Sequence, residues 1–276
     1  MQVVGTCVVA VLAALSAGLL QYHATSDWFF ARSVAGVYEA SARTTAGRSP
    51  AELRAALAEA RAYNADLAAG RVVPESAAGR ARYDAAVSHL GADSIGWVSI
   101  PAIDVSLPVY RDTTDASLSR GVGHWYGSSL PVGGEGHAVL ASHSGLPEAD
   151  LFTRLEDVQV GDWFSVSAAG EVLYYVVDDI RVVEPQAVDA VETVPGKDYV
   201  TLVTCTPIGV NSDRLLVRGV RGDPPAEALQ DLSHVNPAPG FPWWAVIWGG
   251  ATVGAAGLTW LVLMPPRRRD GTAPPQ

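Results

Sequence analysis

The chain has 276 residues, a net charge of −10 and a pI near 5.0. The length suits one domain of ordinary size plus accessory segments. The acidic balance excludes the broad basic surface that goes with nucleic-acid binding, and two cysteines, Cys7 and Cys205, point to a fold that does not rest on disulfides.

The first element, within residues 1–21, is an uncharged apolar run over 3–20. It is close to the ~20 residues a helix needs to cross the hydrocarbon core of a bilayer. No basic flank precedes it, which favours an uncleaved anchor over the alternative, a cleaved signal peptide. Residues 22–93 read as a helical extension. A helix is expected from residue 33 to about 70. It contains Ser49-Pro50-Ala51-Glu52, a capping box with proline at the first helical position. Leu53, Leu57, Ala60, Asn64 and Leu67 recur at helical spacing, and Gly70 is a natural stop. A weaker helical stretch covers 76–90.

From residue 94 to 222 the texture changes to short β-type runs separated by Gly, Pro and Asp. Strands are expected at 96–100, 106–110, 137–142, 163–167, 172–183, 199–205 and 214–220. Their spacing, without long helices between them, predicts a mainly β domain, a closed barrel or a sandwich, and argues against a doubly wound α/β fold. Residues 223–242, rich in Pro and Ala, read as a tether. An uncharged run at 243–264, with Trp243, Trp244, Trp248 and Trp260 near its ends, reads as a second span. Arg267, Arg268 and Arg269, in the tail 265–276, place the C-terminus in the cytoplasm by the positive-inside rule. With two spans the N-terminus is then also inside, and residues 26–242 lie outside the cell.

Cys205 ends the run Thr201-Leu202-Val203-Thr204-Cys205. Cys7 lies in the first apolar run, so the two thiols do not pair. A lone thiol at a strand end is either a small core residue or a nucleophile. If the runs ending at Cys205 and beginning at Arg214 are antiparallel neighbours, the loop between them brings both residues to one end of the sheet. Arg218 would sit about 13 Å further along the strand. His143 also ends a β run, ahead of Gly145-Leu146-Pro147. Cysteine, histidine and arginine together would supply a nucleophile, a proton-transfer group and an oxyanion stabiliser. His124 and His137 compete with His143 for the second role. The chain has no CxxC, no HExxH and no clustered ligand set for a metal, and no glycine-rich phosphate loop ahead of a helix, so no metal or cofactor is expected.

Several stretches resemble one family in the right order. Thr201-Leu202-Val203-Thr204-Cys205 is similar to the TLxTC signature of sortases, the exported cysteine transpeptidases of Gram-positive bacteria. Thr206-Pro207 and the stretch from Asn211 to Gly219 resemble the TCTP…NxxRLLVRG pattern of the class C, pilus-building branch. The stretches Gly121-Val122-Gly123-His124, Ser128-Ser129-Leu130-Pro131-Val132-Gly133-Gly134 and His143-Ser144-Gly145-Leu146-Pro147 resemble that branch too, as does Tyr63-Asn64 with Leu67. The resemblance covers about 60–221. It implies a sortase-type closed β-barrel in which Cys205 is the nucleophile, His143 its acid/base partner, Arg214 the group steadying the carbonyl and oxyanion, and His124 structural. It further implies an LPxTG-type surface protein or pilin as substrate and a primary amine, pilin lysine or peptidoglycan, as acceptor. A wall-anchoring sortase of another class, an inert surface-assembly scaffold and a plain cysteine protease are the alternatives.

Two departures from the family pattern stand out. The branch's Asp-Pro-aromatic lid motif is missing from the N-terminal extension, with Tyr83 or Trp97 as the candidate replacements for its aromatic. Ser144 stands where the family has arginine after the histidine.

Overall fold

In the computed structural model, residues 2–92, 94–187, 191–223, 226 and 239–264 are described. The chain divides into two units, one of residues 1–28 and 240–276, the other of residues 29–239.

In the first unit, helix α1 (Gln2–Leu20) lies against the C-terminal helix α6 (Trp243–Leu263). Trp28 and Trp244 meet edge to face at 6.1 Å, and the Trp28 indole donates to the Gly240 carbonyl at 2.8 Å. Within α6, Trp243–Leu261 is long and apolar enough to cross a membrane. The arginine triplet at 267–269 and most of the 223–242 tether lie outside the described residues.

The second unit opens on the helical extension. The single helix expected from residue 33 to about 70 is two, α2 (Tyr22–Ala46) and α3 (Pro50–Ala68). The capping box that starts α3 is also what separates them. Ser49 adopts extended backbone and accepts from the Glu52 N–H, while the Glu52 carboxylate accepts from the Ser49 N–H at 2.7 Å. Just past the α3 end, Gly70 takes a left-handed φ of 66°, open to glycine at little cost. Ser76 caps α4 (Ala77–Ser88).

The apolar stripe of α3, with Leu57, Ala60 and Tyr63, is buried in the same core as Tyr83 and Val87 of α4 and the strand residues Val98, Val109 and Leu140. Asn64 sits among them, 4% exposed. Its side chain accepts from the Leu130 N–H at 2.7 Å and donates to the Leu130 carbonyl at 2.9 Å. Replacing Asn64 by leucine would strand the buried Leu130 N–H. We expect a loss of about 1–3 kcal/mol, read as a lower denaturant midpoint of the full chain in detergent.

The eight strands found among the described residues close into a barrel in the order β1-β2-β3-β4-β7-β8-β6-β5. They are β1 (Gly96–Ile100), β2 (Val105–Tyr110), β3 (Val122–His124), β4 (Gly136–Ala141), β5 (Trp163–Ala168), β6 (Glu171–Val183), β7 (Asp198–Thr206) and β8 (Asp213–Gly222). Seven coincide with the expected runs to within one or two residues. The unforeseen one, β3, has three residues, too few to show alternation. Closure favours the barrel over the sandwich.

Pairing is antiparallel except β2–β3 and β4–β7. Val200 and Leu202 of β7, Ala138 and Leu140 of β4, and Leu215 and Val217 of β8 point into the core. By the period-two rule, Thr201, Val203 and Cys205, with Val139 and Ala141, and Arg214 and Leu216, share the outer face.

Candidate active site

Three strands set the geometry. In the antiparallel β7–β8 ladder Cys205 lies directly opposite Arg214. Directly opposed residues project to the same face, with side chains in reach of one another. In the parallel β4–β7 ladder Ala141 is level with Val203. Past the end of β4 the Ser142 N–H and the Ser144 hydroxyl bond the Val203 and Cys205 carbonyls, so the backbone at His143 runs beside that at Cys205. Cys205 thus has Arg214 opposite it on β8, and His143 in the segment that follows β4. The three expected residues converge at one end of β4, β7 and β8, on the outer wall of the barrel.

Short hydrogen bonds hold the strand ends in step. The Ser142 N–H donates to the Val203 carbonyl at 3.0 Å, and the Thr204 hydroxyl to the Ser142 carbonyl at 2.9 Å. Ser144 donates its hydroxyl to the carbonyl of Cys205 itself at 2.7 Å. The residue that departs from the family pattern therefore ties the histidine loop to the cysteine backbone. Beyond it, the Phe152 N–H donates to the His143 carbonyl at 3.1 Å and closes the 143–152 loop.

Cys205 is free and partly buried. The His143 side chain is 28% exposed, and its Nε2 lies 3.1 Å from Asp115 Oδ1. Arg214 uses one Nη1 to donate to the backbone carbonyls of Asp213 at 2.9 Å and Asn211 at 3.2 Å. Among the described residues it forms no ion pair. Arg218, by contrast, spends its fork on Asp178, at 3.0 and 2.9 Å, and lies over the Tyr199 ring.

A groove of about 220 Å³ runs along this outer face. Its floor is Val139 and Ala141 of β4, Val203 of β7 and Leu216 of β8. Val183, Pro185, Ala187 and Val191 form one wall, Trp125 and Thr113 also line it, and Arg214 and Glu184 are its charged residues. Of the three expected residues only Arg214 lines it among the described residues, and an apolar trough with a few polar groups suits a largely apolar ligand.

No part of the helical extension lines the groove among the described residues. Neither aromatic considered as a lid is one. Tyr83 is fully buried against Tyr63 and Tyr126, and Trp97 is 5% exposed with Tyr38 stacked edge-on at 5.1 Å. The segment after α3 is held down by a hydrogen bond from the Tyr126 hydroxyl to the Pro74 carbonyl.

The competing histidines are structural. His137 is 2% exposed, with its ring nitrogens on the Glu192 carbonyl at 2.9 Å and the Thr201 hydroxyl at 2.7 Å. His124 is fully buried, its Nε2 on the Ser129 carbonyl at 2.8 Å and its Nδ1 2.9 Å from the Tyr83 hydroxyl. Burial pushes its pKa down from 6.5 to about 4, against the Ser129 bond, which acts the other way. A histidine depressed in the folded state favours unfolding once protonated. Its stability contribution is whole above the unfolded pKa and is lost as pH falls from about 6.5 to about 4, on the order of 3 kcal/mol in all. Denaturant midpoints of the full chain taken across that window should fall with pH, and His124→Asn should flatten the slope.

Residues 98–221 match the family model described as the sortase domain. Sortase A of Streptococcus agalactiae serotype III is 33% identical over 116 residues, 41% of this chain and 47% of that protein. Sortase A of Bacillus anthracis is 31% identical over 125 residues, 45% and 58% of the respective chains. The chain thus spans about half the length of the curated relatives it matches. Agreement with solved structures is broader. Sortase C1 of Streptococcus agalactiae is 42% identical with a TM-score of 0.59, covering 66% of this chain and 93% of that one. Sortase C of Streptococcus pneumoniae is 39% identical at a TM-score of 0.61, covering 68% and 97%. A barrel of this topology and likeness to sortase C structures over nearly their whole length lead to one conclusion: the chain belongs to the sortase family, in its class C branch.

Proposed function

We propose that the chain is a membrane-anchored cysteine transpeptidase that cleaves an LPxTG-like sorting signal and joins the acyl fragment to a primary amine, most simply a pilin lysine. One observation carries the reading. Cys205 pairs with Arg214 across β7 and β8, His143 follows the end of the adjacent β4, and an apolar groove lined by Arg214 runs along the same face, which supports the reading.

In this mechanism the Cys205 thiolate attacks the carbonyl between Thr and Gly of the signal. Arg214 offers its uncommitted donors to the oxygen that becomes negative. As the C–N bond breaks, the leaving amine takes a proton from His143, and a thioester remains on Cys205. The acceptor amine then attacks the thioester, gives up a proton to His143, and forms the new amide as the thiolate departs. The groove holds the signal extended so that its scissile carbonyl lies over the sulfur.

The pilin assignment draws on the likeness to the pneumococcal sortase C, which is described for its pilin substrate specificity. The apolar helix α6 supports a membrane anchor, with α1 as a second span and the barrel outside the cell. A groove that no described residue of the helical extension lines favours a second reading, attachment of surface proteins to a peptidoglycan amine without polymerisation. Incubating the full chain in lipid vesicles with a pilin bearing its sorting signal and a peptidoglycan-type amine separates them. A ladder of covalent multimers supports polymerisation. A single amine conjugate supports wall anchoring, and no conjugate with either acceptor overturns both.

A further inference from the structure

We infer that Asp115 is the positioning residue of His143. It would fix the hydrogen of the neutral imidazole on Nε2, so that Nδ1 is the atom that takes the proton from Cys205 and passes it to the leaving amine. The inference rests on the transpeptidase reading above and adds a fourth residue to it.

A carboxylate only accepts hydrogen bonds, so the 3.1 Å contact of Asp115 Oδ1 with His143 Nε2 requires the hydrogen on that nitrogen. Nδ1 is left as the basic atom. The same division of labour orients the histidine of Ser-His-Asp triads.

The Asp115 side chain is 94% exposed, which would leave an ordinary surface carboxylate free to wander. Its backbone is not free. Asp115 opens the short helix α5 (Asp115–Leu118), and the turn before it is knotted around Asp112. One oxygen, Asp112 Oδ1, accepts from the Thr114 N–H at 3.1 Å, the Thr114 hydroxyl at 2.7 Å and the Ser117 hydroxyl at 2.6 Å. Partial burial alone would raise the Asp112 pKa, but these bonds outweigh it and hold the carboxyl below its usual range.

The knotted segment also lies hard on β3. A Cβ at Gly123 would come within 2.4 Å of the Asp112 carbonyl and 2.9 Å of Leu118 Cδ2. Helix α5 is thus clamped from below by a glycine and from within by an aspartate, and its first residue faces the histidine. Thr113 of the same turn lines the groove, so the clamp shapes both the trough and the proton-transfer group.

Two readouts test the assignment in the full chain in detergent. The first is 15N NMR of the neutral histidines, with His143→Ala identifying the signal; it needs no substrate and therefore no working transpeptidase. The parent should show Nε2–H at His143, and Asp115→Ala should lose that preference. The second is steady-state transfer of a sorting-signal peptide to an amine. Asp115→Ala should lower kcat about three- to tenfold with KM little changed, as fits an exposed partner of a catalytic base. Asp115→Glu should restore most of both. The assignment is overturned if Asp115→Ala leaves the tautomer unaltered, or if kcat falls but Glu does not restore it. An inactive parent with the Nε2–H tautomer intact would count against the transpeptidase reading and not against the placement of the hydrogen.

Discussion

Cys205→Ala is expected to abolish thioacyl formation and amine transfer altogether. The surrounding hydroxyls cannot take over. Thr204 points toward the barrel interior, is 4% exposed, and donates to the Ser142 carbonyl. Ser144 donates to the carbonyl of residue 205. Removing a covalent nucleophile from such a site costs on the order of 10³-fold or more in turnover. The fold should hardly notice. The thiol is only partly buried, and trimming it to a methyl group leaves both backbone ladders intact, so the denaturant midpoint should move by less than about 1 kcal/mol. Mass spectrometry of the full chain after incubation with a sorting-signal peptide reads the outcome. An acyl adduct on the alanine variant would refute the nucleophile assignment.

Much of the candidate site's geometry was legible in the sequence because its three residues stand at or just past strand ends. The β-runs that stop at Cys205 and restart at Arg214 already implied a ladder, and Cys205↔Arg214 is a register pair. What the sequence could not supply was the face. Alternation marks Leu202 and Val203 as opposite in direction, but only closure of the barrel decides which of them looks outward. Arg214 accordingly lines a groove on the outer wall with residues of β4, β7 and β8, with Val183, Glu184, Pro185, Ala187 and Val191, and with Thr113 and Trp125. Asp115 was invisible for a similar reason. Thr-Thr-Asp-Ala looks like any solvated turn, and its meaning depends on a contact 28 residues away. Ser144 reads as a loss of arginine in sequence and as a strand tie in space. The capping box at Ser49 was read correctly as a start, yet the preceding pattern gave no sign that a separate helix ended just before it.

Arg214→Lys is expected to cost about 10²- to 10³-fold in kcat/KM, the range seen when an oxyanion donor is removed. Charge is conserved in this substitution, so the loss isolates geometry. One Nη1 of Arg214 is anchored on the Asp213 and Asn211 carbonyls, which orients the plane of the guanidinium, and the remaining donors of the fork are free to meet a developing negative oxygen. An ammonium on a flexible stem has to choose between those carbonyls and the substrate. If it keeps the first it abandons the second, and if it turns to the second nothing orients it. Arg218 provides the control on the same strand. Its fork is occupied by Asp178, so Arg218→Lys should disturb an ion pair and leave transfer within about twofold of the parent, as exposed pairs contribute little. Thioacyl formation measured in a single turnover, apart from release to the amine, locates the defect. For Arg214→Lys both steps should slow, since thioacyl formation and its aminolysis each pass through a tetrahedral oxyanion. Equal transfer rates for the two lysine variants would mean that the residue opposite the cysteine contributes only its charge, and the planar-fork role would have to be given up.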